Sequence, residues 1–572
     1  MVYNRNSLRD RAGTSIPLFF LVLCLASGPA RPLSRGPETV IPPDRLADWT
    51  STGVPGGIPD RPEIFRTLRP GATAADINAA IKAASGSGKT VYLEAGTYRL
   101  SAPIDIANAA EVTLRGAGAG KTIIDADPPG PAAIVSSPRS YIDAAAAGGA
   151  DIASGYERGS TRITLAASPG RAFRAGRLIQ IVQDDDQVLV FHRRGNWAGS
   201  RNLRHTSRIT GIEGKVVTFA TPIPFSYDRA RRPQALVQPA NARLAGIEAL
   251  TVRANGRLAV AFGGADRCWV RGVETSGTGN SAIELRGSSQ CEVRGCYLHD
   301  AQGFPRQSDG YGIFLFYGTG YARVEDNIGC RLGCLVLMNG ASANAVAYNF
   351  DREGGRAGLE WVLPSINCNH GPHGIMNLFE GNVIARFQND GYHGSTSHGL
   401  LLRNRIHGLH PKFTFERQVV DLCRGSYYHS LLGNVLGDAS WTPDAYEMSG
   451  QPGHAASCIY QLGYPNADNT SFAPETEFEG FRAPLPDARV RETLLRHGNY
   501  DYFNRRVIWD EGLASKTLPA SLLYASKPGY FGSLPWPPIG PDVEGLAGPI
   551  PAQARWEAYG RSGDVADLFK DP

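Results

Sequence analysis

The sequence predicts an all-β solenoid of stacked parallel coils, with a helix closing its start and a small antiparallel insert. The main observation is a repeat marked at Val273, Cys296, Asn327, Asn349, Asn382, Asn404 and Asn434. Three residues before each mark stands Val270, Val293, Val324, Val346, Phe379, Leu401 or Leu431, so one column of every repeat is apolar and faces a core. The second observation is the spacing of 23, 31, 22, 33, 22 and 30 residues, a base period lengthened in alternate intervals. That period suits short strands and turns better than a helical hairpin. With Val, Ile, Leu and Phe in short runs broken by Gly and Asn, it gives parallel β-coils stacked at ~4.8 Å. The asparagines read as a hydrogen-bonded ladder of like turns, a structural column and not a site.

Taken in order, residues 1–30 read as a secretory leader: Arg5, Arg9 and Arg11 precede an apolar run over 16–26 and a small-residue exit at 26–30. The run is too short to span a bilayer, and no other stretch approaches the ~20 residues required. The expected location is therefore secreted or periplasmic, with no membrane attachment after cleavage. Loss of three arginines and Asp10 with the leader takes the formal charge from +4 to +2, which offers no case for nucleic acid or a membrane surface. Eight cysteines remain; Cys268 and Cys291 lie one period apart, where a disulfide and a reduced pair fit equally well. No feature fixes an oligomeric state.

A linker over 31–60 leads into a cap and the first coils over 61–140. Ile77, Ala80, Ile81 and Ala84 share one face of a helix predicted over 74–85, which would cover the open end of the coils. The glycine runs at 85–90 and 116–122 each end in Gly-Lys-Thr, but Ala83 and Arg115 stand where a phosphate loop needs its first glycine, so both are turns. Over 141–238 the coil pattern lapses into alternating apolar and polar residues, as a small antiparallel insert would show. There Asp184, Asp185 and Asp186 offer either a hard-cation site or an acidic turn, and His192, Arg193, Arg194 and Trp197 are placed to lean over a groove. The central coils occupy 239–440, and a tail over 441–572, rich in Pro, Tyr and Trp, packs on them or closes their far end.

The stretch AAIKAASGSGKTVYLEAGTYRL, followed by VTLRGAGAGKTII, resembles the opening of the pectate-lyase-like superfamily of right-handed parallel β-helix proteins. The resemblance covers residues 61–124 closely and 244–436 through the coil repeat. It implies the right-handed parallel β-helix fold and action on carbohydrate, without naming a substrate. The Asn-Thr-Asp, Asp-Asp, Gly-His-Gly and Arg-Ile-Lys motifs of polygalacturonases are absent from the coils, as are the calcium-binding acidic cluster and arginine signature of pectate lyases. No catalytic residue carries over.

The chemistry concentrates in the coils, where His370, His373, His393 and His398, four of twelve histidines, fall within twenty-nine residues. His370 and His393 differ by one period and should neighbour each other on successive rungs. The lengthened intervals supply loops carrying His299, Asp300, Arg306 and Asp309; then Asp351, Arg352, Glu353, Arg356, Glu360 and Trp361; then His407, His410, Lys412, Arg417 and Arg424. Leaving at one corner, they would wall a groove over the short rung with Asn389, Asp390, Tyr392 and His393, a shape that suits a sugar chain.

Eliminative cleavage of a uronic-acid polymer needs a base at C5, an acid at the leaving oxygen and a cation for the carboxylate. His370 and His393 with Tyr392 are assigned as base and acid, with Asp390 beside them. Asn369, His373, His398, Arg352, Arg356, Glu360, Trp361 and Arg403 are expected to contact substrate, with Arg352, Arg356, Arg403 or Asn369 neutralising its carboxylate. A glycoside hydrolase would instead pair Asp390 with Glu360, Glu353 or Asp351. A non-catalytic glycan-binding or surface protein is the reading from a different class. The histidines could also hold zinc, but no helix orients them; no metal ligand is assigned, and Ca2+ or another divalent cation stays the cofactor option. Glu380, next to inward Phe379, should face solvent.

Overall fold

One central coil runs through the strands Leu378–Glu380, Val383–Ile384 and Phe387–Asn389 before the next begins at Leu400–Leu402. Each strand pairs in parallel with its counterpart one coil away, Phe379 with Leu401 and Phe387 with Val420. The first strands of successive coils form sheet A, the second sheet B and the third sheet C. Parallel strands joined by such crossovers take the right hand. Phe379, Leu401 and Leu431 stack inside with Ile384, Ile406, Phe387 and Val420 as a continuous buried core. The computed structural model describes residues 40–127, 132–136, 149–192, 200–238, 241–304, 309–355, 362–391, 393–410, 417–449, 457–464 and 486–570. Val40–Pro572 form one compact unit; the predicted leader lies outside the described residues.

The turn from sheet A to sheet B holds the asparagine ladder. Asn349 Nδ2 donates to Asn382 Oδ1 at 3.0 Å, Asn382 to Asn404 at 2.9 Å and Asn404 to Asn434 at 2.9 Å. Each side-chain amide also reaches a carbonyl of the preceding coil: Asn382 that of Val346, Asn404 that of Phe379 and Asn434 that of Leu401. The apolar column and the ladder are thus two faces of one turn. Beside Asn382, Gly381 has φ +66, and a Cβ there would lie 2.3 Å from the Tyr348 ring, so bulk is excluded. The ladder extends to Asn499, which accepts from Asn434 at 2.9 Å across a 65-residue separation. Part of the tail therefore makes a further coil, through Ser457–Leu462, Leu495–His497 and Asn499–Asp501.

At the start, helix Ala74–Ala84 buries Ala74, Ile77, Ala80, Ile81 and Ala84 against the first coil. Thr73 caps it reciprocally with Asp76, each side chain taking the other's backbone N–H. The insert closes into an antiparallel barrel of six strands between Ala150–Ser154 and Gln234–Gln238. Its core of Ile163, Ile179, Ile181, Val217 and Phe219 also takes in Ile375 and Met376 of the coils. The barrel therefore sits on the corner between sheets C and A. Its three aspartates are neither an exposed turn nor a cation cluster: Asp184 pairs with Arg201 at 2.9 Å and Arg232 at 2.5 Å, Asp185 accepts from the Asn202 amides, and Asp186 takes the backbone N–H groups of Val188, Leu189 and Val190. The eight cysteines among the described residues are buried free thiols.

Two segments cross the outer face of sheet A. Residues 40–54 run back along the stack: the Arg45 guanidinium meets the His429 carbonyl at 3.0 Å, Trp49 Nε1 the Met376 carbonyl at 2.8 Å, and the Gly53 N–H the Tyr321 carbonyl at 2.8 Å. The tail runs the same way, with Leu522 N donating to Glu380 at 2.9 Å and Tyr530 Oη to Glu325 at 2.9 Å. Glu380 does point out of the coil, yet it is 1% exposed, because this tail covers it and Tyr348 Oη bonds it from within the sheet.

Asp351 is an inward position on sheet B, in register with Gly329. It is 3% exposed, and no hydrogen bond reaches either carboxylate oxygen. Burial, partly offset by the nearby Ser365 hydroxyl, pushes its carboxyl up to about 6. An acid whose pKa is raised on folding holds its proton longer in the native state, so its effect on stability is absent below the unfolded pKa of ~3.9 and grows as pH rises through 6. The expected penalty at neutral pH is about 3 kcal/mol. Asp351→Asn should flatten this fall, measured as the difference in unfolding free energy from wild type at pH 4 and pH 7; an equal difference at both would contradict it.

Candidate active site

The three long loops leave at one corner, between sheets B and C: after Tyr297–His299, after Phe350–Arg352 and after Arg405–Ile406. The histidine cluster lies at the other end of the sheet C strands, where the chain turns toward sheet A. Ile366–Asn367 leads into Asn369 and His370, and on the next rung Phe387–Asn389 leads into Asp390 and His393. Because these strands pair Ile366 with Phe387, the two turns emerge side by side. His370 and His393 meet edge to face, with ring centroids 4.4 Å apart at 71°. Asp390, 3% exposed, lies 3.1 Å from His370 Nδ1, and the His370 side chain keeps 27% of its surface open. One ligand-type atom from each of the three lies within 4.8 Å of the others.

Hydrogen bonds around the cluster fix its backbone. Asn369 Nδ2 donates to the carbonyls of Asp390 at 3.1 Å and Gly394 at 2.7 Å, clamping one turn to the next. The His370 N–H reaches the Met338 carbonyl at 2.7 Å. From the barrel, His192 bridges Gly394 in antiparallel fashion and the Phe191 N–H meets Ser395 Oγ at 2.7 Å. His192 itself lies 3.5 Å from Asp185. The insert is thus held against the turn that carries His393, while Arg193, Arg194 and Trp197 lie outside the described residues.

Other expected contacts fall elsewhere. His373 is 1% exposed between the hydroxyls of Ser395 and Ser397, each 2.9 Å away, and burial lowers its pKa to about 3, so it is a neutral packing residue. His398 stacks on Tyr428 at 5.0 Å, and burial lowers it to about 4. Arg403 lies under the tail, its guanidinium 2.7 Å from Asp542 and bonded to the carbonyls of Pro519 and Ile539, which removes it from any groove. Arg352 and Glu353 line a separate cavity against sheet B. Asp351 points into the core, as above. Tyr392, Arg356, Glu360 and Trp361 lie outside the described residues.

Tyr311, which the sequence did not single out, brings its ring 6.2 Å from His370. The only signal for it was its place at the start of the sheet C strand after the first long loop. On the rung after that of His393, Asp421, a further carboxylate of sheet C, is already bonded by Arg386 at 2.6 Å and Gln388 at 2.8 Å. Chemically, a carboxylate on Nδ1 holds an imidazole in the tautomer that leaves Nε2 with a lone pair, and a second imidazole beside it can carry the opposite proton state. The same two imidazoles and carboxylate would suit a zinc-like ion better than Ca2+, which prefers oxygen ligands.

Stacked parallel sheets with an insert-walled cluster on one corner define a parallel β-helix protein. Residues 71–158 match the family model for rhamnogalacturonase A/epimerase, pectate lyase-like. Among solved structures, tailspike protein gp49 from Pseudomonas phage LKA1 is 14% identical over 62% of this chain and 56% of its own, with a TM-score of 0.41, so the chain spans little more than half of that protein. Alginate lyase from Paenibacillus sp. str. FPU-7 is 12% identical over 70% of this chain and 99% of its own, TM-score 0.37. The Azotobacter vinelandii mannuronan C-5 epimerase AlgE4 A-module is 13% identical over 70% and 96%, TM-score 0.33. No curated protein matches the chain in sequence. Among the described residues no helix is long and apolar enough to cross a membrane.

Proposed function

We propose that the chain is a polysaccharide lyase that cleaves a uronic-acid-containing polymer by β-elimination at the His370, Asp390 and His393 cluster. The observation that carries this reading is the His370–Asp390 pair at 3.1 Å with His393 edge-on beside it. His370 Nε2 takes the C5 proton, the electron pair becomes the C4=C5 double bond, and the C4–O4 bond breaks as O4 receives a proton from His393. Asp390 holds the His370 tautomer and offsets the charge that His370 gains. Hydrolysis with Asp390 has weaker support, since Asp351 faces the core, Glu353 lines another cavity and Asp421 is committed to Arg386.

The test is incubation of the purified protein with polygalacturonate, alginate, glucuronan and neutral polysaccharides, following unsaturated-uronate absorbance and reducing ends together, with and without chelator. Both signals rising on a uronate polymer is the expected result. Reducing ends without absorbance would replace elimination by hydrolysis, and neither signal on any polymer would reject the reading. Loss of both signals with chelator would assign the three side chains to a metal ion instead of proton transfer.

A further inference from the structure

One cavity among the described residues shares no residue with the His370 cluster. It encloses about 860 Å3 between the outer face of sheet B and the helix Pro551–Ser562. Phe350 and Val383 contribute to its floor, and its walls carry Arg352, Glu353, His407, Asp438, Trp556 and Glu557. Neither the family match nor the elimination chemistry uses any of these groups.

Its chemistry is that of a carbohydrate pocket. Trp556 is half-buried, and its ring is held in place 6.1 Å from Tyr297 and 6.4 Å from Phe350, giving a fixed flat surface of the kind a sugar's C–H face packs on. Around it stand oriented polar groups: Arg405 pairs with Asp438 at 2.5 Å, and Gln553 donates to Glu557 at 3.0 Å. His407 accepts the Leu409 N–H on Nδ1, and burial lowers its pKa to about 3, so it presents an uncharged N–H donor on Nε2. Pockets of this volume enclose small oligomeric ligands. Three wall carboxylates, Glu353, Asp438 and Glu557, face two guanidiniums, Arg352 and Arg405. That balance disfavours a polyanion in a partly enclosed space.

We infer that this cavity is a second carbohydrate site, which takes a neutral oligosaccharide and not a uronate chain. The inference goes beyond the lyase reading and stands without it. The site would anchor a neutral backbone or branch while elimination proceeds at the other corner.

Calorimetric titration of the full chain with cellotetraose, maltotetraose, xylotetraose, mannotetraose and tetragalacturonate tests this. At least one neutral tetrasaccharide should bind and tetragalacturonate should not compete with it. Trp556→Ala should weaken that binding at least tenfold. Because Trp556 also packs on sheet B, Gly560→Tyr serves as a second variant: Gly560 lines the cavity, and a Cβ there meets no atom within 4 Å, so the new ring enters open space without disturbing the core. It too should weaken binding at least tenfold while leaving the thermal midpoint and any elimination rate unchanged. Absence of neutral binding at millimolar ligand, binding unaltered in Gly560→Tyr, or tighter binding of tetragalacturonate at this cavity would each overturn the proposal.

Discussion

Replacing His370 with alanine is expected to lower the elimination rate by roughly 10²–10⁴-fold, the range that a positioned general base supplies. The fold should survive, because the His370 side chain is 27% exposed and its rung is held by backbone bonds, the His370 N–H to Met338 among them. Asp390→Asn should reproduce much of that loss without removing an imidazole. An amide at 3.1 Å from Nδ1 can donate to it, which turns the tautomer round and leaves Nε2 protonated. The assay is the initial rate of unsaturated-uronate absorbance at saturating polymer, with far-ultraviolet circular dichroism to certify folding. A His370→Ala protein that folds and keeps its rate would remove this cluster from catalysis. A large loss in His370→Ala beside a normal rate in Asp390→Asn would keep the base and reject its orienting partner.

Arg403→Ala should instead leave the rate of correctly folded protein intact and destabilise the molecule by about 3 kcal/mol. The guanidinium is 2% exposed in its side chain and makes bonds to Asp542 at two positions of 2.7 Å, to Pro519 at 2.8 Å and to Ile539 at 3.0 Å. Truncation would leave two buried or partly buried carbonyls without their donor. Asp542 is half-exposed, so water takes over part of its share and the figure stays at the low end for a broken buried pair. The Arg403 hydrogen bonds hold the Asp542 carboxyl below its ordinary range. The stabilisation from this pair is therefore present above the unfolded pKa of ~3.9 and is lost as pH falls below it. Chemical denaturation of wild type and Arg403→Ala at pH 7 and pH 3 measures both effects. A substrate-binding role for Arg403 would show instead as a raised KM at unchanged stability.

The coils were legible because their determinants are local. An apolar residue three positions before an asparagine fixes one inward side chain and one turn, and stacking repeats the instruction on each rung, so His370 and His393 could be placed together from a spacing of 23 residues. Periodicity tells which side chains leave the core, but not what lies over them. Arg403 and Glu380 both point outward, as the repeat requires, and both are covered by residues more than a hundred positions later. His373 sits beside the catalytic candidates in sequence, but Ser395 and Ser397 of the following rung enclose its ring, a pairing visible only once the turns are stacked. Asp351 marks the opposite failure. A charged residue in a lengthened interval reads as part of a loop, whereas it completes the inward column of a strand. The barrel was recognisable as an insert from its alternating pattern; its closure, and its grip on the His393 turn through His192 and Ser395, depend on contacts across more than two hundred residues.

The segment that crosses sheet A just after residue 40 also imposes an order of events during biosynthesis. Arg45 bonds the carbonyls of His429 and Thr493, 384 and 448 positions away, while Gly53 meets Tyr321. As the chain emerges from its N-terminus, this segment exists long before the rungs it rests on, and it can dock only piece by piece, Gly53 on Tyr321, then Trp49 on Met376, then Arg45 on His429 and Thr493. Docking can finish only after the coil that carries Thr493 has closed, so nearly the first residues described are fully seated only late in synthesis, shortly before the tail covers the rest of sheet A. Loop closures of this span carry a large entropy cost before any contact repays it. A nascent protein halted before Thr493 would therefore hold stacked coils whose sheet A still lacks the tail and the Arg45 contact with Thr493, leaving Glu380 and Glu325 uncovered until synthesis resumes.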